Sequence, residues 1–326
     1  MRVMVTGAAG FIGRSLSANL LENGRLADGR GGPRAIEEIV LVDREFPEAM
    51  QSGAPGGIRL THMSGDLSDA GFVDEVASVG ADTVFHLAAA LTLDAEERDD
   101  AAYLVNVEAI RRFIGRSSSS TRFVFASSIA VFGGDLPPTV TDLERFAPET
   151  TYGTHKAVAE LLLADAARKN RLDARILRLP VVLIRRGANT PAVSDRIAAI
   201  VREPLAGRDA VSPLKAETQI PVASAGAVAK ALIQLHDTPI DMLPPSRAMN
   251  LPSLSVSIEQ MIASAFLQGD TRTLGQVRFV PDTRIQAIVD AWPRAFVSDI
   301  ATRLGIVGDR SFDDIVFEYL AEQQTA

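Results

Sequence analysis

A short apolar run, Phe123-Val124-Phe125-Ala126, ends in two hydroxyls, Ser127 and Ser128, and Tyr152-Gly153-Thr154-His155-Lys156 follows further along the chain. Tyr152 and Lys156 are four residues apart, so on a helix they share one face. A lysine charge beside a tyrosine stabilises the tyrosinate and lowers its pKa from about 10, making a general base usable near neutrality. Ser128, at the strand end, is placed to hydrogen-bond a reacting oxygen and hold it in line. Ser128, Tyr152 and Lys156 are therefore the candidate catalytic set, and their chemistry is removal of a proton from a hydroxyl group. Alone, Tyr-x-x-x-Lys recurs on many helices as a half-buried tyrosine and a surface lysine. The neighbouring motifs give it weight.

The first of these lies at the start of the chain, where Arg2–Thr6 runs straight into Gly7-Ala8-Ala9-Gly10-Phe11-Ile12-Gly13 and a helical pattern begins at once. Glycines in such a turn let the backbone bend tightly and approach a pyrophosphate seated on the positive end of the helix. The pattern predicts a dinucleotide held by Gly7, Gly10, Phe11, Ile12 and Gly13. The acid expected at the end of the second strand, on the adenosine ribose, is Asp43. It stands further from Gly7 than the usual ~20 residues, and the insertion Gly29-Arg30-Gly31-Gly32-Pro33, read as flexible, accounts for the excess. A carboxylate there repels a 2′-phosphate, so Asp43 favours NAD over NADP, while Arg44 beside it is the residue able to accept that phosphate. Asp66 and Leu67 follow the third strand, and Leu87, Ala88 and Ala89 end the fourth, where ligands bind in open α/β sheets. His86, inside an apolar strand end, reads as a buried structural histidine rather than a catalytic one.

Positioning these groups requires an alternation of strands and helices. Six apolar runs, Arg2–Thr6, Glu38–Val42, Ile58–His62, Thr83–Leu87, Arg122–Ala126 and Ala174–Leu179, read as strands buried on both faces. Helical patterns over Ile12–Glu22, Ala70–Ala77, Ala101–Arg116 and Tyr152–Lys169 separate them. The fold class expected is α/β, a Rossmann doubly wound parallel sheet with a smaller C-terminal substrate lobe. Beyond about Val181 the pattern loosens, with Pro204, Pro213, Pro221, Pro239 and further prolines up to Pro252. The expected division is an NAD-binding Rossmann domain over 1–180, together with about 219–238, and a substrate-binding lobe over 181–326.

Composition sets the outer limits. The 326 residues suggest roughly two domains. With no cysteine, thiol catalysis, iron–sulfur clusters, zinc ribbons and disulfides are excluded, and no metal site is expected. A net charge of −8 argues against a nucleic-acid partner. No apolar stretch approaches the ~20 residues of a membrane helix. The N-terminus turns into the glycine loop too early for a signal peptide. A soluble, cytoplasmic protein with a small-molecule substrate is expected.

Together these motifs resemble the extended branch of the short-chain dehydrogenase/reductases, the NAD-dependent epimerase/dehydratase family. The branch is marked by Gly-x-x-Gly-x-x-Gly, here Gly7, Gly10 and Gly13, by Tyr-x-x-x-Lys, here Tyr152 and Lys156, and by a serine before a Val-Tyr-Gly turn, here Ser128 before Val131-Phe132-Gly133. Asn106 matches a helix asparagine of the branch, and Arg178-Leu179-Pro180 the segment that touches the nicotinamide. Within the branch the chain is most similar to the D-erythronate dehydrogenase group, through Arg202-Glu203-Pro204-Leu205-Ala206-Gly207, Asn250–Val256 and Ala291-Trp292-Pro293. The resemblance implies NAD-dependent oxidation of the C2 hydroxyl of a small sugar acid to a 2-oxo acid. Asn106, Pro180, Tyr152 and Lys156 join the cofactor-binding set, and Thr92, Ser128, Tyr152, Arg186, Asn189 and Arg196 are the candidate substrate contacts. Gln219 stands where the group carries an arginine that clamps the carboxylate, which leaves Arg185, Arg186 or Arg196 for that role, or a different substrate. The alternative readings are a nucleotide-sugar epimerase or dehydratase using bound NAD and, from another class, a dinucleotide-sensing protein without turnover. The helices near Ala101–Arg116 and Tyr152–Lys169 resemble the pair that forms a dimer interface in the branch, so a homodimer is expected.

Overall fold

The computed structural model describes residues 1–28, 32–50, 57–184, 193–269 and 273–324. The chain divides into two compact units. One consists of Met1–Ser128, Thr150–Arg178 and Ala229–Met249, the other of Ile129–Glu149, Leu179–Val228 and Asn250–Ala326.

The first unit is built on a seven-stranded sheet. Its strands are β1 (Arg2–Thr6), β2 (Glu38–Asp43), β3 (Arg59–Ser64), β4 (Thr83–His86), β5 (Arg122–Ser128), β6 (Asp173–Leu179) and β7 (Ala248–Asn250), in the order β7-β6-β5-β4-β1-β2-β3. The registers Val5↔Leu41, Leu41↔His62, Val5↔Phe85 and Phe85↔Val124 are all parallel. This is the Rossmann doubly wound order, which reverses between β1 and β4 and opens a crevice at the strands' C-terminal ends. Val3, Val5, Ile39, Phe85, Phe123, Val124 and Phe125 are wholly buried, each contributing about 1.5–3 kcal/mol of transfer free energy.

Helices α1 (Phe11–Asn23), α2 (Ala70–Ser78), α3 (Ala109–Arg116) and α4 (Thr151–Arg168) follow β1, β3, β4 and the segment after β5. Val73 and Val76 of α2, Ile110 and Phe113 of α3, and Ala159, Leu163 and Ala166 of α4 share one core with Val40, Val84 and Phe123 of the sheet. Local chemistry sets where these helices begin and end. Gly24 closes α1 in the left-handed region at φ 64, its N–H bonding Leu20 O. Thr150 caps α4 by accepting from Gly153 N at 3.0 Å, which fixes the turn carrying Tyr152.

The structure corrects two local expectations, for one helix and one strand, and adds two features that the sequence pattern did not carry. The helix expected over Ala101–Arg116 is broken into Asp99–Tyr103, a π-helical turn over Leu104–Glu108, and α3. β3 is half exposed rather than buried on both faces, because it lies at the sheet edge with only β2 beside it. The insertion near Gly29–Pro33 is flanked by a paired antiparallel ribbon, Arg25–Ala27 with Pro33–Ala35, while residues 29–31 lie outside the described residues. The seventh strand, β7, comes from a three-residue stretch too short to read as a strand.

The second unit contains a three-stranded sheet of Val181–Val182, Gln219–Ala223 and Leu254–Ser257. Parallel pairs join Ala210–Ser212 to Val277–Phe279 and Ala295–Phe296 to Thr139–Val140. Its helix Ile258–Gln268 starts with a complete capping box between Ser257 and Gln260. No described helix is long and apolar enough to cross a membrane.

Candidate active site

β5 carries three consecutive backbone positions toward α4. Ser128 hydrogen-bonds the Tyr152 side chain. Two residues earlier, the Ala126 carbonyl accepts from Lys156 Nζ at 2.7 Å. Lys156 is 3% exposed, with Nζ 4.5 Å from the Phe125 ring centroid and 5.7 Å from that of Tyr152. The sequence thus predicts the three groups and the structure brings them together, because the four-residue spacing places Tyr152 and Lys156 on one face of α4, against the end of β5.

Burial dominates the proton affinities here. Desolvation pushes the half-buried Tyr152 phenol up to about 12, with the Ser128 hydrogen bond opposing the rise. Loss of hydration brings Lys156 down to about 7, and the Glu160 carboxylate opposes that fall. The net tyrosine pKa thus lies above the ordinary 10, because desolvation outweighs the lowering expected from the lysine. Lys156 directs its proton to a neutral carbonyl instead, with Nζ 5.7 Å from the ring centroid.

The glycine loop is stitched to β2. Gly7 N and Ala8 N donate to Val42 O at 2.8 and 3.2 Å, and Ala9 N to Asp43 Oδ2 at 2.9 Å. Gly7 has φ 71, and a Cβ there would meet Ala88 N at 2.8 Å. A Cβ on Gly13 would collide with Gly7 O and with Ala8 Cα. Gly10 opens α1 with no side chain over the first turn, where Phe11, Ile12 and Gly13 follow. Close backbone approach and an uncapped helix start are what a pyrophosphate requires, so these residues fit a dinucleotide. Asp43 lies at the end of β2, its two oxygens accepting from Ala9 N and Arg44 N. The exposed Asp66 carboxyl sits below the usual carboxylate range, chiefly through the Ser68 N–H at 2.8 Å, and Leu67 beside it is buried.

Leu87, Ala88 and Ala89 leave the end of β4 on the same rim. Leu87 N donates to Thr6 O, and Ala88 N to Thr6 Oγ1. Asn106, on the π-helical turn, commits both ends of its amide to Ala90. Its place is therefore behind the loop that it holds. Thr92 begins the helix Thr92–Glu97 and is buried. Pro180 and Arg196 belong to the second unit, Pro180 buried and Arg196 exposed on the helix Val193–Leu205. Its neighbour Asp195 is taken up by Arg202 in a buried ion pair of 2.7 Å. Arg185, Arg186 and Asn189 lie outside the described residues.

Two groups near the site, Thr6 and Glu160, escaped the sequence reading. Thr6 Oγ1 hydrogen-bonds His86 Nδ1 at 2.9 Å, and burial holds that histidine neutral, near 3. Glu160, four residues beyond Lys156 on α4, accepts from Ser127 and Arg178. The available signal for Glu160 was its spacing, one further step of four beyond Lys156.

Residues 3–250 match the model of the NAD dependent epimerase/dehydratase family. The chain belongs to this family. Its members bind the cofactor for which the glycine loop is shaped, and the chain is an NAD-dependent oxidoreductase. It is 35% identical to a D-erythronate dehydrogenase of Cupriavidus necator, over 99% of this chain and 98% of that one. A D-erythronate dehydrogenase of Haemophilus influenzae is 32% identical, over 98% and 99%. Among solved family structures, a nucleoside-diphosphate-sugar epimerase from Agrobacterium tumefaciens superposes with a TM-score of 0.89 at 30% identity, covering 100% of this chain and 95% of the other.

Proposed function

We propose that the protein oxidises the C2 hydroxyl of a small sugar acid such as D-erythronate to the 2-oxo acid, with NAD as acceptor. The observation that carries this reading is the Ser128–Tyr152–Lys156 constellation, in which a hydroxyl bonded to a phenol lies one helical turn from a buried ammonium. Full-length similarity to two D-erythronate dehydrogenases supports the substrate class.

In this reading Gly7, Gly10, Phe11, Ile12 and Gly13 hold the pyrophosphate, and Asp43 the adenosine ribose. When bound, NAD supplies the acceptor for the C2 hydride, together with the positive charge of its oxidised ring. Ser128 holds the substrate oxygen, Tyr152 takes its proton, and the Lys156 ammonium stabilises the tyrosinate. Positioning accounts for much of the rate. Arg196, and Arg186 and Asn189 in the neighbouring segment, are assigned to the substrate carboxylate and hydroxyls. We place the protein in the cytoplasm and read it as a homodimer, the latter supported by exposed Tyr103, Leu104 and Leu161 on the two helical segments expected to pair.

Screening NAD reduction against aldonic acids, tetronates included, and conversion of UDP-sugars in parallel tests the assignment. Turnover of a tetronate is expected. Conversion of a sugar nucleotide with no oxidation of any acid would replace it with the epimerase reading.

A further inference from the structure

The end of β5 and the face of α4 are tied at three successive turns. Ser128 meets Tyr152, Ala126 O meets Lys156, and Ser127 Oγ donates to Glu160 Oε1 at 2.5 Å. Tyr152, Lys156 and Glu160 follow one another at four-residue steps and so form one stripe. The third tie touches no reacting group in the proposed mechanism, yet it is the most heavily built. Arg178 on β6 donates from Nε to both Glu160 oxygens at 3.1 Å and from Nη2 to Oε2 at 2.9 Å. Ser127, Glu160 and Arg178 are 2%, 3% and 4% exposed.

Burying a carboxylate and a guanidinium is costly, and such a pair is often no more stable than well-packed apolar side chains. Stability alone therefore does not explain it. Two features of its position do. Ser127 immediately precedes Ser128, so anchoring one hydroxyl to α4 fixes the backbone that aims the other at Tyr152. Glu160 is also the carboxylate acting on buried Lys156, whose hydrogen-bond acceptor is an uncharged carbonyl.

We propose that Ser127, Glu160 and Arg178 form a positioning triad, holding the Ser128 hydroxyl in register with Tyr152 and fixing the Glu160 carboxylate one helical step from Lys156. The proposal rests on the reading of Ser128, Tyr152 and Lys156 as the reacting groups. Glu160→Gln keeps the size and the acceptor oxygen but removes the charge. It is expected to bind NAD within about twofold of the parent, to keep KM for the acid within about threefold, and to lose roughly ten- to a hundredfold in kcat. The alkaline limb of its kcat/KM profile, which reports the free enzyme, is expected to move about one pH unit lower. A purely structural role would not move that limb. Glu160→Asp should restore the limb at reduced amplitude, and Ser127→Ala should lower kcat without shifting it.

A folded Glu160→Gln with a parental pH profile overturns the charge role. Should that variant fail to fold, Ser127→Ala with parental kcat overturns the positioning role. Tyr152→Phe separates the two layers: if it retains turnover the catalytic reading fails, whereas an inactive Tyr152→Phe beside an unshifted Glu160→Gln removes the triad alone.

Discussion

Asn106 brackets Ala90, its Oδ1 accepting the Ala90 N–H at 2.8 Å and its Nδ2 donating to the Ala90 carbonyl at 3.0 Å. The π-helical turn over Leu104–Glu108 carries the amide to the loop that leaves β4, and such turns recur at functional sites. Asn106 is 2% exposed, so truncating it leaves the two backbone groups of Ala90 unpaired, at about 1–3 kcal/mol each. Asn106→Ala should therefore weaken NAD binding by roughly tenfold or more, with a smaller change in kcat, as read by fluorescence titration and steady-state kinetics. Unchanged affinity for NAD would show that the Ala88–Ala90 loop does not line the cofactor.

The glycines of the first loop should not be equivalent. A Cβ on Gly13 meets backbone atoms of Gly7 and Ala8 that cannot yield, whereas one on Gly10 meets Gly7 O at 3.0 Å. Gly13→Ala is expected to abolish measurable NAD binding in calorimetry, and Gly10→Ala to weaken it by less. Equal affinities for the two variants would contradict the close packing of α1 on the loop.

Much of this architecture is readable from sequence because parallel strands buried on both faces leave uninterrupted apolar runs, as in Val3–Val5 and Phe123–Ala126. The exceptions have physical causes. β7 spans only Ala248–Asn250 and is added at the sheet edge from a distant part of the chain, so it has no periodicity to detect. The break at Leu104–Glu108 keeps its residues on an apparently continuous helical pattern, and only backbone bonding reveals the widened turn. In the site, motif spacing locates Tyr152 and Lys156, but not the strength of burial, which sets their proton affinities. Ser127 and Glu160 were hidden because their partnership crosses from strand to helix and neither belongs to the motif.

Burial of Lys156 also predicts a pH-dependent stability. Its pKa falls from the ordinary 10.5 to about 7 in the native protein, so the unfolded chain holds the proton more tightly. Below about 7 both states are protonated and the native state bears the full cost of a buried charge. As pH rises from about 7 to 10.5 the native lysine is neutral, and the cost is relieved. Lys156→Met should raise the Tm by a few °C at about pH 6 and lose that advantage by about pH 10. A Tm difference independent of pH, in calorimetric scans of both proteins, would argue against a lysine poised near neutrality.

The proposed mechanism turns on the Tyr152 tyrosinate taking the proton of a sugar-acid hydroxyl. The most direct test is NADH formation from D-erythronate by the parent protein and by Tyr152→Phe, with NAD affinity measured for both. The parent is expected to turn over, and Tyr152→Phe to lose roughly 100- to 10,000-fold in kcat, the range of a lost general base, at nearly unchanged NAD affinity. Turnover by Tyr152→Phe within a few-fold of the parent would contradict it.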